Sequence, residues 1–298
     1  MHLVDQYIEY LKLERNYSRL TTQAYQKDIE QFSDYCKTEF EIEEITAINK
    51  NILRSWVVCL SKNDLSTRSI NRKLSAIKGF FNFLWETDCM ERNPIDDFSL
   101  LKFEKKESIP FSKEEIEVSI GHIDDSNFEG ARDKLIIELL YVTGIRRSEL
   151  INLKISDISF YKKTLTVKGK GNKQRYIPLI EDIVPTIKNY IQLRKEKSEE
   201  HNYLFITQKG RKIYDSFVYR LVKKHFRNFT TKHKKSPHIL RHSFATHMLE
   251  ENADLNSIKE LLGHESLAAT ENYVKNDLSM LKKTYHNSHP RGKKDDRQ

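Results

Sequence analysis

The sequence of 298 residues contains few residues that cross-link a chain or interrupt its regular structure: three cysteines, six prolines and nine glycines. Cys36, Cys59 and Cys89 are odd in number and form no C-x-x-C motif, so we expect reduced thiols in a cytoplasmic protein rather than a disulfide framework. No run of about 18 apolar residues occurs, which argues against a membrane span, and the N-terminus lacks the pattern of a signal peptide. The length allows two domains with ordinary cores.

The net charge of +8 is distributed unevenly along the chain. Residues 1–100 carry 13 Lys and Arg against 16 Asp and Glu, whereas residues 101–298 carry 38 against 27. Within the second stretch, residues 151–250 alone hold 22 basic against 8 acidic side chains. A positive field concentrated in one segment is typical of a protein with a polyanionic partner such as nucleic acid, although a basic surface without a ligand has the same composition.

Apolar residues at helical spacing predict a small four-helix bundle in residues 1–97. Its helices are expected to begin near the start of the chain, at Thr21 or Thr22, near Thr46 and at Ser66. Residues 98–110, which end in proline, have no regular period and are interpreted as a linker.

Polar and basic side chains concentrate at two places in this bundle, the start of the second helix and the outward face of the fourth. Short hydroxyl side chains beside arginines suit contacts with phosphates and base edges. The net negative charge of the bundle would confine such contacts to one face, and a solvated face with helix caps explains the pattern equally well. The candidates for DNA contact are Arg19, Thr22, Arg68, Arg72 and Lys78.

A second domain is predicted over residues 111–287, opened by a capping box of Ser112 and Glu115. The residues from 288 to 298 form a polar tail, which we expect to be disordered from His289 onward.

The segment T-G-I-R-R-S-E-L lies in the first third of this domain. Gly144 predicts a turn, and a new helix is expected to begin at Arg146. Glu149 follows one turn later, where its carboxylate can hold a guanidinium in position.

Two β-like runs, Thr164–Val167 and Gln174–Leu179, flank a Gly-Lys-Gly sequence and predict a hairpin with Lys170 at its tip. A lysine at such a tip can reach into a groove. The segment is not a P-loop, because G-x-x-x-x-G-K-[ST] is absent and strand–turn–strand is the wrong context.

Asn202–Thr207 is a candidate for a further short strand, and Asp215–Phe229 is predicted to be a helix. Lys223 and Arg227 lie on the outward face of that helix, where they are further candidates for contact with a DNA backbone. A solvated basic face is an equally good interpretation.

Near the C-terminus, Ser236 followed by Pro237 predicts a helix start that places His238 in the first turn and Arg241 on the same face. The next helix is expected to be capped by Asp254 and to end at Gly263.

His264 comes directly after that end, and a third helix starting at Ser266 carries Tyr273. Imidazole, guanidinium, imidazole and phenol thus come from consecutive helix starts and ends, where a hydrophobic core needs none of them. A phosphoryl-transfer site needs all of them: cations for the non-bridging oxygens, groups that handle protons and an oxygen nucleophile.

Each of these side chains taken alone has an ordinary structural explanation. A single Arg146 or Arg241 is more often a surface ion-pair partner, and a single Tyr273 is more often a packing aromatic. His238 and His242 have the spacing of a zinc-binding pair, but no third ligand is evident, so no metal is expected. The joint occurrence of the residues is what favours a catalytic site.

The segments T-G-I-R-R-S-E-L, G-K-G-N-K, H-I-L-R-H and L-G-H, with the tyrosine that follows, resemble in order and spacing the signature of the tyrosine site-specific recombinases (phage integrase family). The resemblance implies that the tyrosine attacks the scissile phosphate to leave a 3′-phosphotyrosyl link, that the lysine protonates the leaving 5′ oxygen, and that no cofactor is needed. The catalytic residues it implies are Arg146, Lys170, His238, Arg241, His264 and Tyr273.

The resemblance also implies the architecture: a mainly α protein with a small antiparallel β-sheet, in which an N-terminal SAM-like four-helix core-binding bundle is joined to a mixed α/β catalytic domain. Its implied partners are double-stranded DNA with a short inverted-repeat site and further protomers, in a homotetramer or in a heterotetramer with a related recombinase. Within the family the chain is most similar to the Xer recombinases, which resolve chromosome dimers through a Holliday junction, and a septal DNA translocase (FtsK-like) is a further implied partner.

The end of the chain is also similar to the Xer C-terminal segment, which in the family docks on a neighbouring subunit. Arg147 and Asn272 stand where apolar residues are common in the family, which leaves a plasmid or mobile-element recombinase open. A type IB topoisomerase, which relaxes DNA as a monomer with similar catalytic groups, is a further alternative. A DNA-binding module that has lost catalysis and a metal-dependent nuclease are two others.

Overall fold

The computed structural model divides into two compact units, Met1–Lys106 and Glu107–Gln298. They are called here the N-terminal unit and, after the role that the resemblance implies, the catalytic unit. Both are mainly helical, and the catalytic unit adds a small antiparallel sheet, as the sequence predicts. None of the described helices is long and apolar enough to span a membrane. The structure describes residues 3–102, 108–169, 174–197, 202–263, 284–285 and 287–292.

Within its described residues the N-terminal unit is a four-helix bundle, which confirms the prediction. The aromatic side chains Phe32 and Trp56 meet in its core with ring centroids 4.8 Å apart. Apolar side chains repeat along one face of each helix and are buried together, which is how an amphipathic helix is stabilised. The helices are α1 (Leu3–Leu13), α2 (Arg19–Phe40), α3 (Lys50–Lys62) and α4 (Thr67–Glu86).

Two predicted helix starts in this unit are wrong. Ser18, not Thr21 or Thr22, caps α2, because its hydroxyl accepts a hydrogen bond from the backbone N–H of Thr21. Around Thr46 the chain forms only a short 3₁₀ turn, and α3 begins later, after the cap residue Asn49. The start predicted at Ser66 is confirmed, since its hydroxyl accepts from the N–H of Ser69.

The first residues of the predicted linker belong to the N-terminal unit. Phe98 is buried in the core of that unit, and the side-chain amide of Asn71 binds both the N–H and the carbonyl of Leu101, at 2.9 and 2.8 Å. Residues 98–101 are therefore packed rather than free, because an apolar anchor and a paired backbone fix them.

The catalytic unit is built around α6, whose side chains are buried on nearly all sides. Its sheet has the order β1-β2-β3 with antiparallel pairing throughout, and β2 and β3 form the predicted hairpin. The described elements are α5 (Lys113–Gly121), α6 (Phe128–Thr143), α7 (Arg147–Asn152), β1 (Ile158–Ser159), β2 (Thr164–Lys168), β3 (Gln174–Pro178), α8 (Ile183–Lys195), α9 (Asp215–His225), α10 (Pro237–Glu250) and α11 (Leu255–Leu262).

Several local predictions in this unit can be checked directly. The capping box of Ser112 and Glu115 is present at the start of α5. The strand predicted over Asn202–Thr207 is wrong, because this segment makes only isolated bridges, and the helix predicted to reach Phe229 ends at His225.

The C-terminal segment from residue 284 to 292, as far as it is described, packs against its own catalytic unit. The hydroxyl of Tyr285 donates to the carbonyl of Val142 at 2.7 Å, and Tyr285 and His289 are fully buried. Arg291 binds both oxygens of Glu117 at 2.7 Å and lies 3.2 Å from a carboxylate oxygen of Glu138. The predicted disorder is therefore wrong for residues 289–292, because ring packing and ion pairs hold them on α5 and α6.

Candidate active site

The start of α10 presents two of the predicted catalytic residues. Pro237 occupies the first helical position, as predicted, although the side chain of the cap residue Ser236 makes no capping hydrogen bond. His238 is exposed in the first turn, and Arg241 follows one turn later with 7% of its surface exposed. The helix thus carries an imidazole at the surface and a guanidinium beneath it.

The start of α7 holds Arg146 in the manner predicted. Gly144 ends α6 with a left-handed backbone (φ 60°), and Arg146 is the cap residue of α7. The carboxylate of Glu149 accepts from the backbone N–H of Arg146 at 2.7 Å and from its guanidinium at 3.0 Å. The predicted role of Glu149 in holding a guanidinium is confirmed.

The C-terminal end of α11 is where the arginines converge. Gly263 adopts the left-handed conformation (φ 66°) that terminates the helix, as predicted. The last carbonyls of a helix lack helical partners and carry partial negative charge. Three successive carbonyls each accept from one arginine: Leu261 from Arg175 at 2.9 Å, Leu262 from Arg241 at 2.7 Å and Gly263 from Arg146 at 2.9 Å.

Arg175 is a member of this cluster that sequence reasoning missed. It lies on β3 and binds both oxygens of Glu149, at 2.9 and 2.8 Å. Its one signal in the sequence is its position in the second run of the predicted hairpin, and strand periodicity does not reveal that the side chain reaches α7.

Charge is unbalanced in this cluster. Among the described side chains, Arg146 and Arg175 both bind the carboxylate of Glu149, and Arg241 lies close enough to interact electrostatically with all three. Burial, together with the positive charges of Arg146 and Arg175, lowers the pKa of Arg241 to about 10, which leaves it charged at neutral pH. Burial opposes ionisation of Glu149, but its bonds to Arg175 and Arg146 outweigh that effect and bring its pKa below the ordinary value. The net positive charge in a half-buried place favours an anionic ligand.

The remaining three predicted catalytic residues, Lys170, His264 and Tyr273, lie outside the described residues. The structure thus brings together Arg146 and Arg241, and it places His238 on the same helix as Arg241.

Four of the predicted DNA-contact residues are exposed. Arg19 and Arg68 lie in the first turns of α2 and α4, Lys223 lies in the last turn of α9, and Arg227 follows that helix. Each of these charged groups is therefore accessible from the solvent.

The other three candidates are already engaged within the N-terminal unit. Thr22 is fully buried, and its hydroxyl donates to the carbonyl three residues earlier at 3.0 Å, so it does not contact DNA in this conformation. Arg72 is paired with the buried carboxylate of Asp28, and the Lys78 ammonium donates to the carbonyl of Phe98 at 2.8 Å.

Two family models match the chain in succession. The model of the phage integrase N-terminal SAM-like domain matches residues 4–87, and that of the phage integrase family matches residues 111–280. The curated relatives include a tyrosine recombinase XerC of Staphylococcus aureus (strain USA300), which is 36% identical over 298 residues, or 99% of this chain and 98% of the relative.

Solved structures with the same fold include two that contain DNA. XerH site-specific recombinase bound to a palindromic difH substrate, in a post-cleavage complex, matches with a TM-score of 0.69 and 24% identity, covering 96% of this chain and 81% of that one. The Tn1549 transposon integrase in complex with circular intermediate DNA matches with a TM-score of 0.71 and 21% identity, over 95% of this chain and 99% of that one. At these identities the structural matches show the fold alone. The family is shown by the two domain models and the full-length relative. The chain belongs to the phage integrase family and is a Xer-type tyrosine recombinase, an enzyme that breaks and rejoins DNA.

Proposed function

We propose that this recombinase cuts DNA with Tyr273 in a site completed by Arg146, Lys170, His238, Arg241 and His264. The observation that carries the proposal is the convergence of Arg146 and Arg241 on the last carbonyls of α11, directly before His264.

The two arginines supply the electrostatic part of the reaction. A guanidinium stays charged and can bind two phosphate oxygens at once, so it stabilises the charge that builds on the non-bridging oxygens in the transition state. Arg241 is fixed between the ends of two helices, since it donates to the carbonyls of Gly144 at 2.6 Å and Leu262 at 2.7 Å. Such anchoring orients the cation before the substrate arrives.

The other three partner groups handle protons. The phenol oxygen of Tyr273 attacks phosphorus as the bond to the 5′ oxygen breaks, and Lys170 donates a proton to that leaving oxygen. A free phenol titrates near pH ~10, so His238 and His264 assist by hydrogen bonding to the phosphate and by accepting the tyrosine proton. The 3′-phosphotyrosyl bond conserves the energy of the broken linkage, and attack by a 5′ hydroxyl reverses the step without ATP.

We further propose that four protomers on two inverted-repeat sites exchange strands through a Holliday junction to resolve chromosome dimers at cell division. The similarity to XerC over the whole chain and the motifs of the Xer type support this role. The role would place the protein in the cytoplasm, with a homotetramer or a heterotetramer on DNA and a septal translocase as a regulator. The exposed Arg19, Arg68, Lys223 and Arg227 are the proposed contacts with the DNA backbone.

A nicked suicide duplex tests the chemistry. The cognate repeat is selected from random duplexes by binding. A nick just downstream of the cleavage site lets the short fragment with the free 5′ hydroxyl leave, so that the covalent complex accumulates. We expect a covalent protein–DNA adduct with the wild-type chain, none with Tyr273→Phe, and an unchanged amount with Tyr161→Phe, whose side chain is exposed on the same unit. An adduct that persists in Tyr273→Phe, or its absence from the wild-type chain, would refute the assignment.

A supercoiled plasmid with two copies of the repeat tests the recombination. We expect resolved circles, and four-way junctions as intermediates. Relaxation of a plasmid that has a single site, without junctions, would instead indicate a topoisomerase. Recombination restricted to the ends of a mobile element would replace the chromosomal role.

A further inference from the structure

Every nitrogen of the Arg175 guanidinium donates a hydrogen bond to another group of the protein. Nη1 and Nη2 donate to the two oxygens of Glu149, and Nε donates to the carbonyl of Leu261 at 2.9 Å. The fork matches the carboxylate in the bidentate geometry that gives arginine pairs their directionality. The side chain is 15% exposed and that of Glu149 is 5% exposed, so the pair is shielded from water.

These bonds join β3, α7 and α11. Each of these elements either carries a residue of the proposed site or leads to one. Arg175 stands on β3 opposite Val167 of β2, in the hairpin whose connection contains Lys170. Through Glu149 it reaches α7 and the guanidinium of Arg146.

The third element is the end of α11, which precedes His264. A Cβ built on Gly263 would lie 3.0 Å from Nη1 and 3.1 Å from the central carbon of the Arg175 guanidinium, so the two residues are in close contact. Arg175 therefore packs against the turn that leads into His264, as well as binding the carbonyl of Leu261.

Arg146 differs from Arg175 in how much of its side chain remains accessible to a ligand. Its side chain is 41% exposed, and its guanidinium divides its donors between Glu149 and the carbonyl of Gly263. A phosphate can approach Arg146 from the open side, whereas the bidentate face of the Arg175 guanidinium is already paired with the carboxylate of Glu149. The geometry assigns to Arg175 a positioning role rather than a catalytic one.

We propose that Arg175 is a positioning residue that fixes Arg146 through Glu149 and sets the hairpin strand against the end of α11. The inference rests on the proposed function for its rate effect, but not for its effect on the geometry of Arg146. A lysine in its place retains the charge that Glu149 needs, yet it cannot bind both carboxylate oxygens and the Leu261 carbonyl in one plane. Arg175→Lys therefore separates orientation from charge.

Single-turnover cleavage of the nicked duplex at saturating DNA measures the effect. Because small misplacements of catalytic groups cost about 100-fold in rate, we expect Arg175→Lys to slow adduct formation by about that factor while DNA affinity stays unchanged. The matched control is Arg194→Lys, since Arg194 is also buried in the catalytic unit and donates to the carbonyls of Tyr203 and Leu204. The control should lower thermal stability without changing the cleavage rate, and a rate for Arg175→Lys within about threefold of wild type would overturn the proposal.

A double-mutant cycle asks whether Arg175 acts through Arg146. In an Arg146→Lys background the further substitution Arg175→Lys should cost less than about threefold, because the group it positions is already gone. Losses that multiply would show that Arg175 acts by another route and would overturn the proposal.

A measurement without DNA separates this inference from the proposed function. In isotope-labelled protein the Nε–H resonance of Arg146, assigned with Arg146→Lys, should shift and broaden in Arg175→Lys and stay in place in Arg194→Lys. If the wild-type chain forms no adduct but this shift is seen, the proposed function fails and the positioning inference stands. If adduct forms normally and the Arg146 resonance does not move, the positioning inference fails alone.

Discussion

Each unit of the molecule contains a buried carboxylate that binds two cationic side chains, and these two examples differ in the other bonds that the cations make. In the N-terminal unit Asp28, 2% exposed, binds Arg72 and the Lys73 ammonium, the latter at 2.9 Å. In the catalytic unit the side chain of Glu149, 5% exposed, binds Arg146 and Arg175. Both carboxylates satisfy the rule that a buried charge must be paired and hydrogen-bonded.

The two arrangements differ in the bonds that the cations make besides those to the shared carboxylate. Arg72 directs two nitrogens at the same carboxylate, so its pair ties α4 to α2. Arg146 and Arg175 each keep a nitrogen for a carbonyl at the end of α11, and Arg241 joins them there. The first arrangement fastens two helices together, while the second directs cations to one place and leaves an excess of positive charge. Similar ion pairs thus fasten helices in one unit and, under the proposed function, hold the cations of an anion site in the other.

The largest effect that tests this comparison is on cleavage. Arg146→Gln removes a cation from the phosphate, and losing one such donor costs about 10²–10³-fold in rate. Lys73→Gln removes a cation from Asp28, which lies in the other unit, and we expect cleavage at saturating DNA to change by less than about threefold. The measurement is single-turnover adduct formation, and comparable losses in both variants would contradict the division of roles.

The second effect is on stability, and it should appear in both units. Asp28→Asn and Glu149→Gln each leave one largely buried cation, Lys73 or Arg175, without its counter-charge, which costs about 3–5 kcal/mol. Both tryptophans, Trp56 and Trp85, lie in the N-terminal unit, so their fluorescence reports on that unit, while circular dichroism reports on the whole chain.

Urea unfolding followed by both signals separates the two variants. Asp28→Asn should lower the midpoint of the fluorescence transition. Glu149→Gln should lower the midpoint of the dichroism transition that belongs to the catalytic unit and leave the fluorescence midpoint unchanged. A fluorescence midpoint that moves equally in both variants would show that the units unfold together.

A smaller effect concerns acid. Since the folded-state pKa of Glu149 lies below its ordinary value of 4.5, its ionisation contributes stability that is fully present above that pH and is lost as the pH falls through the folded-state value. The stability difference between the wild-type chain and Glu149→Gln should therefore be constant from neutral pH to about 5 and should shrink below 4.5. Urea midpoints from circular dichroism, measured at a series of pH values, check this, and a difference that grows on acidification would contradict it.

Local structure was predictable from the sequence where the determinant is local. The sequence predicts caps at Ser66 and at the pair Ser112 and Glu115, a turn at Gly144 and a helix end at Gly263, because each acts on backbone groups within a few residues of itself. The grouping of Arg146 with Arg241 was implied by family motifs rather than by spacing.

The rest depended on contacts between distant parts of the chain. Arg175 meets Glu149 across 26 residues and Leu261 across 86, and no local pattern records such a contact. The polar composition of the C-terminal segment predicts disorder, yet Arg291 pairs with the buried carboxylate of Glu138, 153 residues away. The composition of a segment does not show which hydrogen-bond acceptors the rest of the fold places beside it.

The smallest effect concerns Gly263, which forms the turn at the end of α11 and lies against Arg175. Gly263→Ala forces a side chain into left-handed backbone, at a cost of about 1–2 kcal/mol, and brings its Cβ against the Arg175 guanidinium. Because the arginine must move by a few tenths of an ångström, we expect the substitution to slow cleavage by about tenfold, less than Arg175→Lys does. Gly121→Ala is the matched control, since a Cβ there meets nothing within 4 Å. Chemical denaturation and single-turnover cleavage should both leave Gly121→Ala close to wild type; if Gly263→Ala loses stability but cleaves at the wild-type rate, the contact between Gly263 and Arg175 has no part in orienting the site.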